Sequence, residues 1–356
     1  MNENEFFYNL TPHVIIDSVE REGYTPTGLC WKLNSLENRV YDLELDDKSH
    51  VVVKFYRPGR WSKTQILEEH EFLFDLVESE VLVCSPCFFK DGESLKEIEG
   101  IYYAVWKRTG GRCIDEFLED HLANLGRLLG RLHTVGKKKE AKERLKLTSE
   151  NMCRIPLSYL LNNSLIPSSC ENDFKKAVEE ASNIFDDLAA GVPYHRIHGD
   201  CHIGNLLYGD EGFFFLDFDD FYTGPAVQDF WMILSNNIEG TNIFLKNYRM
   251  FSDFENSWLK LMEPLRALRF VHYTGWIARR WEDPAFKNAF PHFGTKEYWQ
   301  TLTKDLYEQI ALSKKVSYII RADGIHTEVS DDAPPVTNKD IFWDWEEKNN
   351  KKENNK

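Results

Sequence analysis

The hydrophobic period of this chain changes once, near Thr109-Gly110-Gly111, and that change limits it to an α+β architecture in two lobes. Before the glycines, Leu29 to Leu33, Arg39 to Leu45 and His50 to Tyr56 are short runs rich in Val, Leu, Tyr and Trp. Asp46-Asp47-Lys48-Ser49 supplies the turn between the last two. Further strands are expected at Val81 to Cys84, Phe88 to Lys90 and Ile101 to Lys107, completing an antiparallel sheet. Thr11 followed by Pro12 starts one helix, with Gly23 as its stop. Ser62-Lys63-Thr64-Gln65 reads as a capping box, with Trp61 and Ile66 as its hydrophobic staple, starting a second helix that runs to about Glu78.

Beyond the glycines the pattern is helical. His121 to His133 and Glu171 to Leu188 each gather their Leu, Phe, Ala and Val residues on one face, and a polar, proline-interrupted stretch from 137 to 168 separates them. From Trp231 to about Ser313 the chain is helical and aromatic. One interruption breaks this half: at Tyr194 to Phe221, two short strand signals bracket a polar loop. After Val316 the sequence passes through Pro334-Pro335 to a charged, Asn-rich end, so residues 317–356 are expected to be a flexible tail. The resulting division is an N-lobe over 1–108 and a mainly helical C-lobe over 109–316.

A formal net charge of −15 repels phosphate backbones and anionic lipid, which argues against nucleic-acid or membrane partners. The densest basic run, Lys137 to Lys146, reads as solvated surface. No apolar stretch approaches the ~18 residues of a membrane span, and Met1 to Glu5 lacks a signal peptide's positive start, so a cytoplasmic protein is expected. Seven scattered cysteines make a poor disulfide framework, and Cys84-Ser85-Pro86-Cys87 has no second pair to complete a zinc site.

The chemistry concentrates in His198-Gly199-Asp200-Cys201-His202-Ile203-Gly204-Asn205, followed by the apolar strand Phe213 to Leu216 and then Asp217. Phosphoryl transfer from ATP needs one carboxylate that accepts the acceptor's proton and oxygen ligands that hold Mg²⁺ against the phosphates. Asp200 projecting from the loop, with Asn205 and Asp217 brought face to face by a hairpin, supplies both. Taken singly, Asp200 is a turn residue and Asn205 a cap; in this order and spacing they resemble a kinase catalytic loop. Such an enzyme also needs a strand lysine paired to a helix carboxylate. Lys54 ends the run Val51-Val52-Val53, and of Glu68, Glu69 and Glu71 only Glu69 lies within roughly 60° of the apolar face of its helix. No G-x-G-x-x-G joins the first two strands. Instead Asn34 and Ser35 offer an amide, a hydroxyl and backbone N–H groups in a tight turn. Trp106 and Lys107 stand where the hinge backbone would meet adenine. Asp219 and Asp220 either bind a second metal or solvate the loop.

The motifs L-N-S-x-E-N-R-V-Y (Leu33 to Tyr41), V-V-K-F-Y-R-P (Val52 to Pro58), Q-I-L-E-E-H (Gln65 to His70), H-G-D-C-H-x-G-N (His198 to Asn205), G-P-A-V-Q-D-x-W (Gly224 to Trp231) and E-P-L-R-A-x-R (Glu263 to Arg269) resemble the bacterial stress response kinase A family. The resemblance spans residues 5 to 315. It implies a cytosolic Mg²⁺- and ATP-dependent serine/threonine protein kinase with an aminoglycoside-phosphotransferase-like fold, linked to envelope and oxidative stress and to protection from cell death. By matching position, Ser35 would touch ATP, Asp200 would accept the proton, and Asn205 and Asp217 would bind Mg²⁺, with Asp217 also counted in the active site. The acceptor would be a protein Ser or Thr, this chain itself included, and the enzyme a monomer. An alternative keeps the chemistry and makes the acceptor a small alcohol such as homoserine, choline or an aminoglycoside, which the acidic bulk charge suits. A non-catalytic nucleotide sensor fits less well with the joint presence of Lys54, Asp200, Asn205 and Asp217.

Overall fold

The computed structural model describes residues 7, 9–234, 238–321 and 324–329. They divide into two compact units, Met1–Arg144 with His195–Thr223, and Leu145–Tyr194 with Gly224–Lys356.

In the first unit, helix α1 (Pro12–Glu20) starts as its sequence dictates, with the Thr11 hydroxyl accepting from the Val14 N–H. Strands β1 (Pro26–Lys32), β2 (Arg39–Leu45), β3 (His50–Phe55), β4 (Lys96–Ile98) and β5 (Ile101–Lys107) form an antiparallel sheet in the order β1-β2-β3-β5-β4. Helix α2 (Lys63–Glu78) follows β3, and both halves of the capping box at Ser62 and Gln65 are present. Side chains alternate across the sheet, so Leu43, Val51, Val53, Phe55 and Val105 pack against Ile15 and Val19 of α1. Lys54, between Val53 and Phe55, therefore points to the other face, opposite Val40 and Ala104.

Two expected strands do not form. Within Val81–Cys84 only Val83 makes a single parallel bridge, to Phe215, and within Phe88–Lys90 the Phe89 N–H donates to the Glu93 carbonyl and its carbonyl accepts from the Gly92 N–H, closing a turn in place of a strand. The sheet edge is taken instead by β4, whose Lys96-Glu97 gave no strand signal. The basic run after α3 (Glu119–Gly136) keeps Lys137, Lys138, Lys139, Lys142 and Lys146 exposed, as a solvated surface, with Arg144 as the buried exception. Lys139 pairs with Glu71 and Asp75, and the backbone N–H groups of Lys142, Glu143 and Arg144 all donate to the Glu68 carboxylate. This clamp carries the Arg144 side chain into the interior, at 0% exposure. The unit is completed by β6 (His195–Ile197), β7 (Leu206–Gly209), β8 (Gly212–Phe215) and β9 (Tyr222–Gly224), with β6 paired to β9 and β7 to β8.

The second unit holds α4 (Ile155–Asn162), α5 (Ser168–Ala189), α6 (Val227–Trp231), α7 (Ile238–Tyr248), α8 (Met262–Arg279), α9 (Pro284–Ala289) and α10 (Lys296–Lys315). Helix α8 is buried on nearly all sides and packs on α4, α5 and α10. Its interior charge is compensated internally, since Arg266 pairs with Glu263, whose carboxylate also accepts from Gln309. The expected flexible tail does not begin at 317: β10 (Val316–Arg321) and β11 (Gly324–Val329) form an antiparallel hairpin. Ile319, Ile320, Ile325 and Val329 supply the β-branched bias that the charged composition further on obscured. The rest of that expectation, from residue 330, lies outside the described residues. Among the described residues no disulfide forms, and no helix is long and apolar enough to cross a membrane.

Candidate active site

The β7-β8 hairpin pairs Leu206 with Phe215, and the Leu216 N–H then donates to the Asn205 carbonyl at 2.9 Å, so Asn205 and Asp217 emerge from the same end. Asn205 Nδ2 donates to the Asp200 carbonyl at 2.9 Å and lies 3.4 Å from Asp200 Oδ2. His198 ties the loop to the strand: its Nδ1 accepts from the Asp200 N–H at 3.3 Å while its Nε2 donates to the Leu216 carbonyl at 2.7 Å. His202 stays within the loop, accepting from the Gly204 N–H, with its Nε2 3.4 Å from Asp200 Oδ2. Gly199 has φ +87°, and a Cβ there would sit 2.1 Å from the Asp220 carbonyl oxygen, so only glycine lets the loop lie on the 218–220 turn.

Asp217 has left-handed backbone angles, φ 50° and ψ 75°, which swing its half-exposed carboxylate away from the strand direction. It meets Lys54, whose Nζ lies 3.0 Å from Asp217 Oδ1, 3.2 Å from Asp219 Oδ1 and 3.9 Å from Glu69 Oε1. Burial opposes the charge on Lys54, but the carboxylates of Asp217, Asp219 and Glu69 outweigh it and hold the ammonium well above its ordinary pKa. Glu69 is 1% exposed, as the helical arithmetic expects. Burial pushes its carboxyl up to about 7 against the pull of Lys54 and Arg144.

Several residues here carried no readable signal. Arg144 Nη2 donates to Glu69 Oε2 at 2.9 Å and Nη1 to the Asp219 carbonyl at 2.9 Å, with the guanidinium 4.2 Å from the Trp61 ring centre and 4.6 Å from that of Phe221. Arg60 pairs with both Asp219 and Asp220. Buried Asp219 is held ionised, below the usual carboxylate range, because Arg60, Lys54 and Arg144 outweigh its desolvation. Asp219 and Asp220 therefore face arginines rather than open solvent. Asn38 joins the loop between β1 and β2 to this group: its Nδ2 donates to Asp219 Oδ2 at 3.1 Å and its N–H to Ser35 Oγ at 3.3 Å. Among the described residues Ser35 is linked to the carboxylates through Asn38. Trp106 lies on β5 with its ring edge-on to His70, and among the described residues no hydrogen bond ties its side chain to the carboxylates.

The oxygen set suits a divalent cation carried in with phosphates. Among the described residues no three His, Cys, Asp or Glu side chains converge as a closed metal cage. The half-exposed Asp217 carboxylate and the Asn205 amide oxygen, to which no described residue donates, match the one or two protein ligands Mg²⁺ takes when phosphates and water complete its shell.

Residues 32–262 match the model of the Phosphotransferase enzyme family. The chain is 39% identical over 322 residues to stress response kinase A of Escherichia coli K12, covering 87% of this chain and 95% of that one. It belongs to the stress response kinase A family. A Salmonella typhimurium relative named serine/threonine protein kinase RdoA is 39% identical over 315 residues, with the same coverage. Among solved structures, an amicoumacin kinase superposes with a TM-score of 0.65 at 18% identity, covering 82% of this chain and 93% of that one. A microcompartment-associated aminopropanol kinase gives 0.61 at 18% identity, covering 85% and 96%. These likenesses carry the fold: an antiparallel sheet and a helical portion of the kinase-like phosphotransferase type, as the α+β reading of the sequence expects. The enzyme is a kinase, a transferase of phosphoryl groups in a family named for the stress response.

Proposed function

We propose that this kinase uses ATP and Mg²⁺ to phosphorylate Ser or Thr hydroxyls on protein, as a cytoplasmic monomer serving the envelope and oxidative stress response and protection from cell death. The observation that carries the reading is the 3.0 Å approach of Lys54 to Asp217, at the hairpin end that also bears Asn205 and tethers Asp200. Lys54 neutralises the α- and β-phosphates, with Glu69 behind it. Asn205 and Asp217 hold Mg²⁺, which when bound offsets the charge on the phosphate oxygens. Ser35 and Trp106 border the nucleotide, and residues 1–108 and 109–316 act as the two lobes. Asp200 orients the acceptor hydroxyl and takes its proton as the oxygen attacks the γ-phosphorus. The bond from phosphorus to the bridging oxygen breaks, and its electron pair leaves with ADP.

A small-alcohol acceptor is the second reading, supported by the net charge of −15, which favours a cationic substrate. Incubation with labelled ATP, Mg²⁺, protein extract and a metabolite panel, read by mass spectrometry, separates the two. Label on Ser or Thr of protein is expected; label on a small molecule alone overturns the protein acceptor.

A further inference from the structure

The loop joining β1 to β2 has no glycine between Leu33 and Asn38, and side chains fasten its backbone instead. Arg57 Nε donates to the Glu37 carbonyl at 3.0 Å and pairs with Glu37 Oε1 at 3.0 Å, while its Nη2 lies 3.4 Å from the Leu36 carbonyl. Arg39 Nη1 donates to the Asn38 carbonyl at 3.1 Å.

Asn38, 3% exposed, joins this loop to two other segments. Its N–H donates to Ser35 Oγ at 3.3 Å, its Oδ1 accepts from the Arg57 N–H at 3.0 Å, and its Nδ2 donates to Asp219 Oδ2 at 3.1 Å. Each segment carries one residue assigned above to the nucleotide or its metal: Ser35 in the loop, Lys54 three residues before Arg57, and Asp217 two before Asp219. The chemistry of the two partners demands an amide. A backbone N–H only donates and an ionised carboxylate only accepts, so the bridging side chain must offer an acceptor and a donor together.

We propose that Asn38 is a positioning residue that ties the nucleotide loop to the turn bearing Asp217, so that ATP and Mg²⁺ bind cooperatively. This rests on the ATP and Mg²⁺ reading of the site, and it leaves the pairing of Glu69 behind Lys54 intact. A ligand that orders the turn through Asp217 also orders Ser35 and the end of β3, so the cost of ordering is met once for both ligands. By linkage, whatever the tie adds to ATP affinity in the presence of Mg²⁺ it adds equally to Mg²⁺ affinity in the presence of ATP.

The test is ATP affinity by calorimetry, in excess Mg²⁺ and in EDTA, and the quantity read is the ratio of the two Kd values. Chelation of Mg²⁺ by ATP in solution is common to every variant and cancels when their ratios are compared. In the wild type Mg²⁺ should tighten ATP binding by about tenfold or more. Asn38→Asp keeps the acceptor for the Arg57 N–H and loses the donor to Asp219, so it should cut that factor by about fivefold or more, and Asn38→Ala should do the same. If neither variant folds, amide hydrogen exchange on the wild type carries the test: the Asn38 and Arg57 N–H groups should exchange more slowly with ATP and Mg²⁺ than with ATP in EDTA. A residue that is merely structural weakens ATP binding by the same factor in both conditions. An unchanged ratio in the variants, exchange that Mg²⁺ does not slow, or wild-type affinity indifferent to Mg²⁺ therefore overturns the inference. A wild-type chain that binds no ATP in either condition overturns the underlying functional reading, a different result.

Discussion

Replacing Gly199 by alanine should damage the catalytic loop in two separable ways. The backbone there has φ +87°, where a Cβ costs about 1 to 2 kcal/mol. In addition the new methyl would lie 2.1 Å from the Asp220 carbonyl oxygen, against the 3.0 Å below which real contacts essentially never occur, so one backbone segment must retreat by close to an ångström. Overpacking of that kind adds about 1 to 3 kcal/mol, for a total near 3 kcal/mol and a fall in Tm of several degrees. Gly191 supplies an internal control: its φ is +79° but nothing lies within 4 Å of its Cβ position, so Gly191→Ala should show the backbone cost alone. Urea melts of the two variants give the difference directly. Because the displaced segment carries Asp200, turnover should also fall by about 100-fold in Gly199→Ala, with ATP KM changed far less. Equal stability of the two variants, with turnover untouched in Gly199→Ala, would refute the packing of loop on turn.

Asp200→Asn should lower kcat by about a thousandfold while ATP KM moves only a few-fold, measured by steady-state phosphotransfer; unchanged turnover removes its assignment as proton acceptor. Asp217→Asn should raise the Mg²⁺ concentration needed for half-maximal activity, and chelation by EDTA should abolish transfer reversibly. Burial, helped by the nearby charges of Lys54 and Arg144, lowers the His70 pKa from 6.5 to about 3, so the unfolded chain takes up a proton that the folded one refuses. Stability should therefore drop as pH falls below 6.5, by about 1.5 kcal/mol between pH 6.5 and 5 from this group alone, and His70→Gln should flatten that slope in urea melts. Glu69, raised to about 7, acts oppositely over pH 4.5 to 7, which is why the comparison with the variant is needed. Tyr56→Phe should cost about 1 to 3 kcal/mol, because Tyr56 Oη and His70 Nε2 are buried partners at 2.9 Å.

Local signals with a short physical range were legible in the chain alone. Ser62 and Gln65 close a capping box through bonds three residues apart, Pro12 opens a helix at a position whose N–H would have no partner within the helix, and a 100° helical step put Glu69 on the inner face. The spacing from Asp200 to Asn205, and the hairpin returning to Asp217, likewise depends on a few successive residues. The strand at Lys96 to Ile98 and the hairpin at 316 to 329 escaped, because charged neighbours mask β propensity whenever pairing comes from elsewhere.

Sequence by itself determined the α+β class and marked the residues proposed to carry phosphoryl-transfer chemistry, since both follow from periodicity and local spacing. Apart from Lys54 with Glu69, which the strand and helix patterns already paired, tertiary structure alone decided which charges neutralise which. Arg144 lies 75 residues from Glu69 and Arg60 lies 159 from Asp219, separations at which no pattern announces a contact. Burial makes such contacts obligatory, because an interior carboxylate must find a cation wherever the fold delivers one.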